Sequence, residues 1–176
     1  IALAYMIDPN LINRLNRFVI MGGSYNSNGN TKPNGEFNFD ADNVSAKIIL
    51  NKFKNIEIWC WESCTQHKMK LCDLKTNEDS LNKEKYRYLK ALLEKREGGD
   101  EEGIFADYGA SITSFFPRSI RKVDTVYCDI IIDTEKDKTS KFVVSEKNIF
   151  NNKKKHTVKL VKKLQQDYVI DLFCSS

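Results

Sequence analysis

Apolar positions at Leu3, Met6, Ile7, Leu11, Ile12 and Leu15 recur at helical spacing, and Asp8-Pro9 interrupts them. Residues 2–16 therefore predict two short helices or one broken helix. Phe18, Val19, Ile20 and Met21 form a compact apolar run ended by Gly22-Gly23, the pattern of a buried strand that stops at a loop. From Ser24 to Gly35 nearly every residue is small or polar, as in a binding loop. Asp42 is placed to cap a helix whose apolar side is Val44, Ile48 and Ile49. Between Asn55 and Trp61, Ile56, Ile58 and Cys60 alternate with Glu57, Trp59 and Trp61, predicting the next strand. Strand, helix, strand is the signature of a parallel βαβ unit.

Residues 81–97, with Leu81, Tyr86, Leu89, Leu92 and Leu93 among many charges, predict an amphipathic surface helix closed by Gly98-Gly99. After Asp107, the small and apolar stretch Tyr108 to Phe116 predicts a buried helix that starts at that aspartate. Alternation in Val126 to Ile132 and near Phe142 to Val144 predicts an antiparallel hairpin around a charged turn, Asp133 to Lys138. A strand at Thr157 to Leu160 and a final helix with Leu164, Val169, Leu172 and Phe173 complete the chain. No internal repeat or linker divides it. The fold class expected is α/β, a mainly parallel sheet flanked by helices with a small antiparallel element near the C-terminus.

Composition changes this picture little. In 176 residues, 41% apolar and 30% charged side chains are enough for one domain with a core. No apolar run is long enough to span a bilayer, so membrane is not an expected partner. The formal charge of +4 is too weak and too mixed to mark a nucleic-acid binder, although Lys136 to Lys163 holds ten Lys against Asp137 and Glu146. A solvated lysine face is the plain reading of that segment. The cysteines, Cys60, Cys64, Cys72, Cys128 and Cys174, form no CxxC pair. Those near His67 fit buried thiols beside Trp59, Trp61 and Leu71 better than a metal site. The sequon Asn43-Val44-Ser45 leaves the compartment open.

The chemistry concentrates at Met21-Gly22-Gly23, Gly29-Asn30 and Gly35-Glu36-Phe37-Asn38. In an extended segment Glu36 and Asn38 would point together while Phe37 turned to the core. A carboxylate and an amide side by side, with Asn30 across the loop, suit neighbouring sugar hydroxyls. Asn30 and Asn38 fit turn residues bonding their own backbone equally well. Asp107, read from spacing alone, is a helix cap. Trp59, Trp61 and Tyr108 read as core rather than as base-stacking residues. His67 and His156 fall in no motif, and a surface role is expected for both.

Met-Gly-Gly, then Gly-Asn, then Glu-Phe-Asn at this spacing resembles the calcium-dependent nucleoside hydrolases, the inosine-uridine-preferring N-ribohydrolases. Leu3-Ala4 with Asp8-Pro9 resembles the helix before that strand, and Asp42 to Leu50 the helix after it. Trp61-Glu62-Ser63-Cys64 is similar to a stretch of animal members. Ile104 to Ile120 resembles the late active-site helix, and the lysine-rich end the closing β-structure and helix. The resemblance spans residues 1–176, which read as the C-terminal portion of a single nucleoside hydrolase domain with a Rossmann-like sheet.

The resemblance implies hydrolysis of a ribonucleoside to free base and ribose by a Ca2+-positioned water. By the family's pattern, Asn30, Glu36 and Asn38 match the residues that hold the ribose hydroxyls, and Asp107 matches a calcium-ligand aspartate. Two departures matter. Position 106 is Ala106, where many members have a residue that assists the departing base. The aspartate-rich motif that supplies the general base and the other calcium carboxylates is absent. Activity is therefore expected only together with an N-terminal segment of the same protein, on the same or a separate chain, and a homo-oligomer is expected. The alternative is a catalytically inactive nucleoside-binding or scaffolding remnant.

Overall fold

The computed structural model describes residues 1–26, 28–70, 87, 91, 102–104, 106–132, 140–151 and 155–168. Two short helices open it, α1 (Ala2–Ile7) and α2 (Leu11–Arg14), broken at Asp8-Pro9 as the spacing predicts. Asp8 makes the break stable: its carboxylate accepts from the Asn10 backbone N–H and pairs with Arg14.

A five-stranded sheet follows. Its strands are β1 (Phe18–Met21), β2 (Ile56–Trp59), β5 (Ile120–Ile132), β6 (Ser140–Ser145) and β7 (Val158–Leu164), in the spatial order β1-β2-β7-β5-β6. β1, β2 and β7 are parallel, whereas β5 runs antiparallel to both β7 and β6. The antiparallel part is thus as extensive as the parallel part and continues the same sheet. The hairpin has the register that the alternation implies, with Cys128 opposite Val144 and Ile130 opposite Phe142. A separate two-stranded ribbon pairs β3 (Met69–Lys70) with β4 (Glu102–Gly103). Leu164, expected in the final helix, instead ends β7, while Val169, Leu172 and Phe173 and the turn at 133–138 lie outside the described residues. Of the surface helix expected over residues 81–97, only Arg87 and Ala91 are among the described residues, and both are helical.

Both faces of the sheet are covered. The alternation in β2 is real, but all four of its residues are buried, because each face meets helices. Ile56, Ile58 and Cys60 join Leu50 and Phe53 beneath α4 (Asn43–Lys52). Trp59 faces the other way, packing with Ile112 of α6 (Ala106–Phe115) and Cys64 of α5 (Trp61–Gln66). Gly109 permits that approach, since a Cβ there would collide with the Trp59 indole. Glu57 shares this second face and is buried against Arg17, 2.5 Å away, which also donates to the carbonyls of Thr113 and Ser114 at the end of α6.

Asp42 caps α4 by accepting from the Ser45 N–H at 2.9 Å. The buried side of α4 is not centred on Val44, which stays exposed. The positions Ala46, Ile49, Leu50 and Phe53 set the helical phase, and Val44 falls off that stripe.

A second correction concerns residues 36–41. They are not extended: Glu36 is the N-cap of a helix, α3 (Phe37–Ala41), and its side chain accepts from the N–H groups of Asn38 and Phe39. Capping two otherwise orphaned donors favours helix over strand here. Phe39, 6% exposed, therefore enters the core against Phe142, while Phe37 stays 64% exposed.

Lys155 is buried at the far side of the sheet. Its ammonium meets Asp129 at 2.8 Å and the amide oxygen of Asn51 at 2.9 Å, over the Phe150 ring. Burial raises the Asp129 pKa, but Lys155, the Ile130 N–H and Asn51 outweigh it and hold the carboxyl below its ordinary 3.8. Removing the cation by Lys155→Ala should destabilise the protein by about 1.5–3 kcal/mol in urea unfolding at pH 7. Asp129 titrates lower when folded, so its contribution is present above pH 3.8 and is lost as pH falls through the depressed folded value. The stability gap between wild type and Asp129→Asn should accordingly be full at neutral pH and close in strong acid.

Candidate functional site

β1 and β2 end side by side, and open α/β sheets bind ligands outside the carboxyl ends of their strands. Gly22 donates to the Trp59 carbonyl and Trp61 to the Gly23 carbonyl, which fixes how the two chains leave the sheet. Gly23 turns there with φ +79°, a left-handed conformation, and an added Cβ would lie 2.7 Å from Phe142 and 2.9 Å from Phe39. Two buried carboxylates then organise the loop.

Glu36, 2% exposed, accepts from Gly23 N–H at 3.0 Å, Asn38 N–H at 3.0 Å and Phe39 N–H at 3.2 Å. One acceptor ties the end of β1 to the start of α3. Asn38 in turn donates its amide to the Met21 carbonyl at 3.2 Å and to the Met21 sulfur at 3.1 Å. Asn30 closes the other side: its Oδ1 accepts from Phe37 N–H at 2.9 Å, and its own N–H donates to Gly35 at 3.0 Å. Glu36 is thus bonded to Asn38 and Asn38 to Met21, while Asn30 bonds the adjoining Gly35 and Phe37. Both asparagines are exposed and the glutamate is not.

Asp107 lies in the first turn of α6 and is exposed. Its neighbour Ala106 packs against the Trp59 cluster, as does Met21, which brings the start of α6 to the same end of the sheet. Among the described residues, no three His, Cys, Asp or Glu side chains gather into a metal-binding group. Tyr108 is half-buried, and burial pushes its phenol pKa well above the ordinary value. Cys60 and Cys64 are free thiols. Burial pushes them up to about 11 and about 12, so both are protonated and inert at neutral pH.

The structure gives roles to two residues for which the sequence predicts none. Glu62, in the first turn of α5, accepts through Oε1 from the Ser24 hydroxyl at 3.0 Å, Tyr25 N–H at 2.8 Å and Asn26 N–H at 2.7 Å. Its other oxygen is buried with no partner among the described residues. The only sequence signal is an acid opening a helix directly after a buried strand. His67, expected at the surface, is half-buried and bonded at both ring nitrogens, to the Ser63 carbonyl at 2.8 Å and from the Leu164 N–H at 3.1 Å. It bridges α5 and the end of β7, a role that no local pattern announces.

The family model for inosine-uridine preferring nucleoside hydrolases matches residues 1–171. An inosine-uridine preferring nucleoside hydrolase of Leishmania major is 38% identical over 56 residues, which is 32% of this chain and 18% of that protein. Among solved structures, an inosine-guanosine nucleoside hydrolase superposes with a TM-score of 0.78 at 17% identity, over 99% of this chain and 57% of that one. A plant nucleoside hydrolase gives 0.76 at 17% identity, over 98% and 57%. The chain thus spans little more than half the length of the structures that share its fold.

Glu62→Ala leaves the donors of residues 24–26 without their acceptor and should cost about 1–3 kcal/mol in urea unfolding. Hydrogen exchange at the Tyr25 and Asn26 amides should accelerate, while Glu62→Gln, which keeps an oxygen there, should retain most of the protection.

Proposed function

The chain belongs to the inosine-uridine preferring nucleoside hydrolase family, and from that premise we propose that it forms the C-terminal portion of an enzyme hydrolysing the N-glycosidic bond of ribonucleosides to free base and ribose. The observation that carries this reading is the grouping of Asn30, Glu36 and Asn38 at the carboxyl end of β1, within a family match over almost the whole chain. Asn38 keeps its amide oxygen, and Asn30 its amide nitrogen, for substrate hydroxyls. Glu36 already accepts three of the roughly four hydrogen bonds a carboxylate can take, so its main part is to hold Asn38 and the start of α3 in place. Glycosyl transfer develops positive charge on the sugar, which oxygen atoms held nearby stabilise.

Calcium is proposed as the cofactor, and Asp107 is the one carboxylate this chain would contribute. A calcium ion takes roughly six to eight oxygens, so the residues present do not complete its site. When bound, it would grip a ribose diol and orient a water. Ala106 has no proton to give a departing base, and both nitrogens of His67 are engaged elsewhere.

The remaining ligands and the general base are proposed to come from an N-terminal portion, on the same or a separate chain. Two observations support this. Among the described residues β1 pairs on one side only, although it is wholly apolar, and Leu3, Met6 and Ile7 of α1 are 69%, 67% and 77% exposed. A further strand on the free edge of β1 would cover that surface.

In the complete protein, inosine or uridine should release its base, chelation should abolish this and Ca2+ restore it. Asp107→Ala should lower kcat/KM by at least about a hundredfold while leaving the thermal midpoint of the chelated protein unchanged, since the side chain is exposed. An intact complex that binds nucleoside without cleaving it would sink the hydrolase reading and favour the inactive remnant.

A further inference from the structure

A cavity of about 650 Å3 opens at the carboxyl end of β7. That is the volume of a small-molecule site. None of Asn30, Glu36, Asn38 or Asp107 lines it. Two cations do: Arg121 at the start of β5 and Lys163 near the end of β7. The ladder between these strands slips twice. Between Ile120 and Lys122 the partners advance only from Leu164 to Lys163, which makes Arg121 an extra residue. Between Lys122 and Val123 they advance from Lys163 to Val161, which makes Lys162 the extra one. Bulges of this kind re-aim side chains and recur next to binding sites.

The slip also sets Lys122 directly opposite Lys163. Like charges facing each other across a ladder repel. Neighbouring lysines have carboxylates to meet, Lys159 with Glu57 at 3.6 Å and Lys162 with Asp124 at 3.9 Å. Arg121, Lys122 and Lys163 have no such partner among the described residues. This is an arrangement that an anion would relieve.

The rest of the wall narrows the anion. Gln66, Gln165 and Gln166 present carboxamides, which both donate and accept, and Asp167 adds an acceptor. These suit hydroxyl groups. Leu164 is the single apolar residue among the described lining. The ring of His67 is spoken for, bonded at both nitrogens and set against Trp59 with centroids 5.0 Å apart. A nucleobase would find no free aromatic face there.

We infer that this cavity binds a sugar phosphate, its phosphate on Arg121 and Lys163 and its hydroxyls on the glutamines and Asp167. Arginine's planar fork matches phosphate oxygens, and lysine adds a point charge. The site shares no residue with the nucleoside site and is read by binding alone, so its fate is independent of hydrolysis.

Calorimetric titration of the complete protein with ribose 5-phosphate, and separately with inorganic phosphate and with ribose, tests it. Saturable binding of ribose 5-phosphate is expected, at least about tenfold tighter than either fragment, and weakened at least about tenfold in R121Q/K163Q. Both positions are exposed, so the circular dichroism spectrum should not change. Should the double variant lose its fold, Gln166→Ala, also exposed, should weaken ribose 5-phosphate without weakening inorganic phosphate. Equal affinities for inorganic phosphate and ribose 5-phosphate overturn the sugar assignment. No saturable binding at about 10 mM, or affinity unchanged in the variants, overturns the site.

Discussion

Three backbone N–H groups converge on the buried carboxylate of Glu36, and the geometry at the end of β1 follows from that convergence. A loop that passes through the interior cannot leave its amides unpaired, and it has no ladder to pair them in. A single anionic acceptor answers both needs: it starts α3, holds Gly23 in its turn and thereby sets where Asn38 stands. Glu62 repeats the device one strand over, gathering the hydroxyl of Ser24 and the amides of Tyr25 and Asn26. Two carboxylates therefore do for this loop what secondary structure does elsewhere. Buried carboxylates are tolerable here because each is met by several donors.

The sheet supplies the rigid base for that loop. Its parallel part brings the ends of β1 and β2 level, so the residues that leave them can share hydrogen bonds. Its antiparallel part is anchored to α4 by Lys155 and Asp129, both bonded to Asn51, and by Lys47, whose ammonium donates to the Ile130 carbonyl at 2.7 Å. Where the two parts meet, β5 and β7 slip by one residue in each direction. The slips turn Leu164 into the Trp59 cluster alongside Val161, although the alternation of a regular strand would have sent Lys163 there. The packing of Leu164 and the cationic cavity beside it thus have a common origin.

Much of this was legible in the residues. The apolar run before Gly22-Gly23, the alternation of Ile56, Ile58 and Cys60, the Asp42 cap and the antiparallel hairpin follow from period, capping and turn chemistry, all of which act over a few residues. The helix at Phe37–Ala41 was not legible, because five residues show no period. Whether Phe37 or Phe39 is buried depends on a cap whose acceptor also needs Gly23, a partner 13 residues away. Val44 misleads for a similar reason, since several phases of an apolar helix are plausible until Leu50 and Phe53 meet the sheet. The residue pattern brought Asn30, Glu36 and Asn38 forward, and the family resemblance gave them and Asp107 their roles, without their geometry.

By itself, then, the sequence determined the order and kind of the main elements and which polar residues stand near a strand end. Those properties are encoded in short-range patterns of apolar and capping residues. Tertiary structure alone decided that Glu36 is buried while Asn30 and Asn38 stay exposed, that His67 is a bridge, and that cations unpaired among the described residues share a cavity. Each depends on backbone groups or strand offsets contributed from far along the chain, and no local spacing specifies where a distant N–H or a ladder slip will fall.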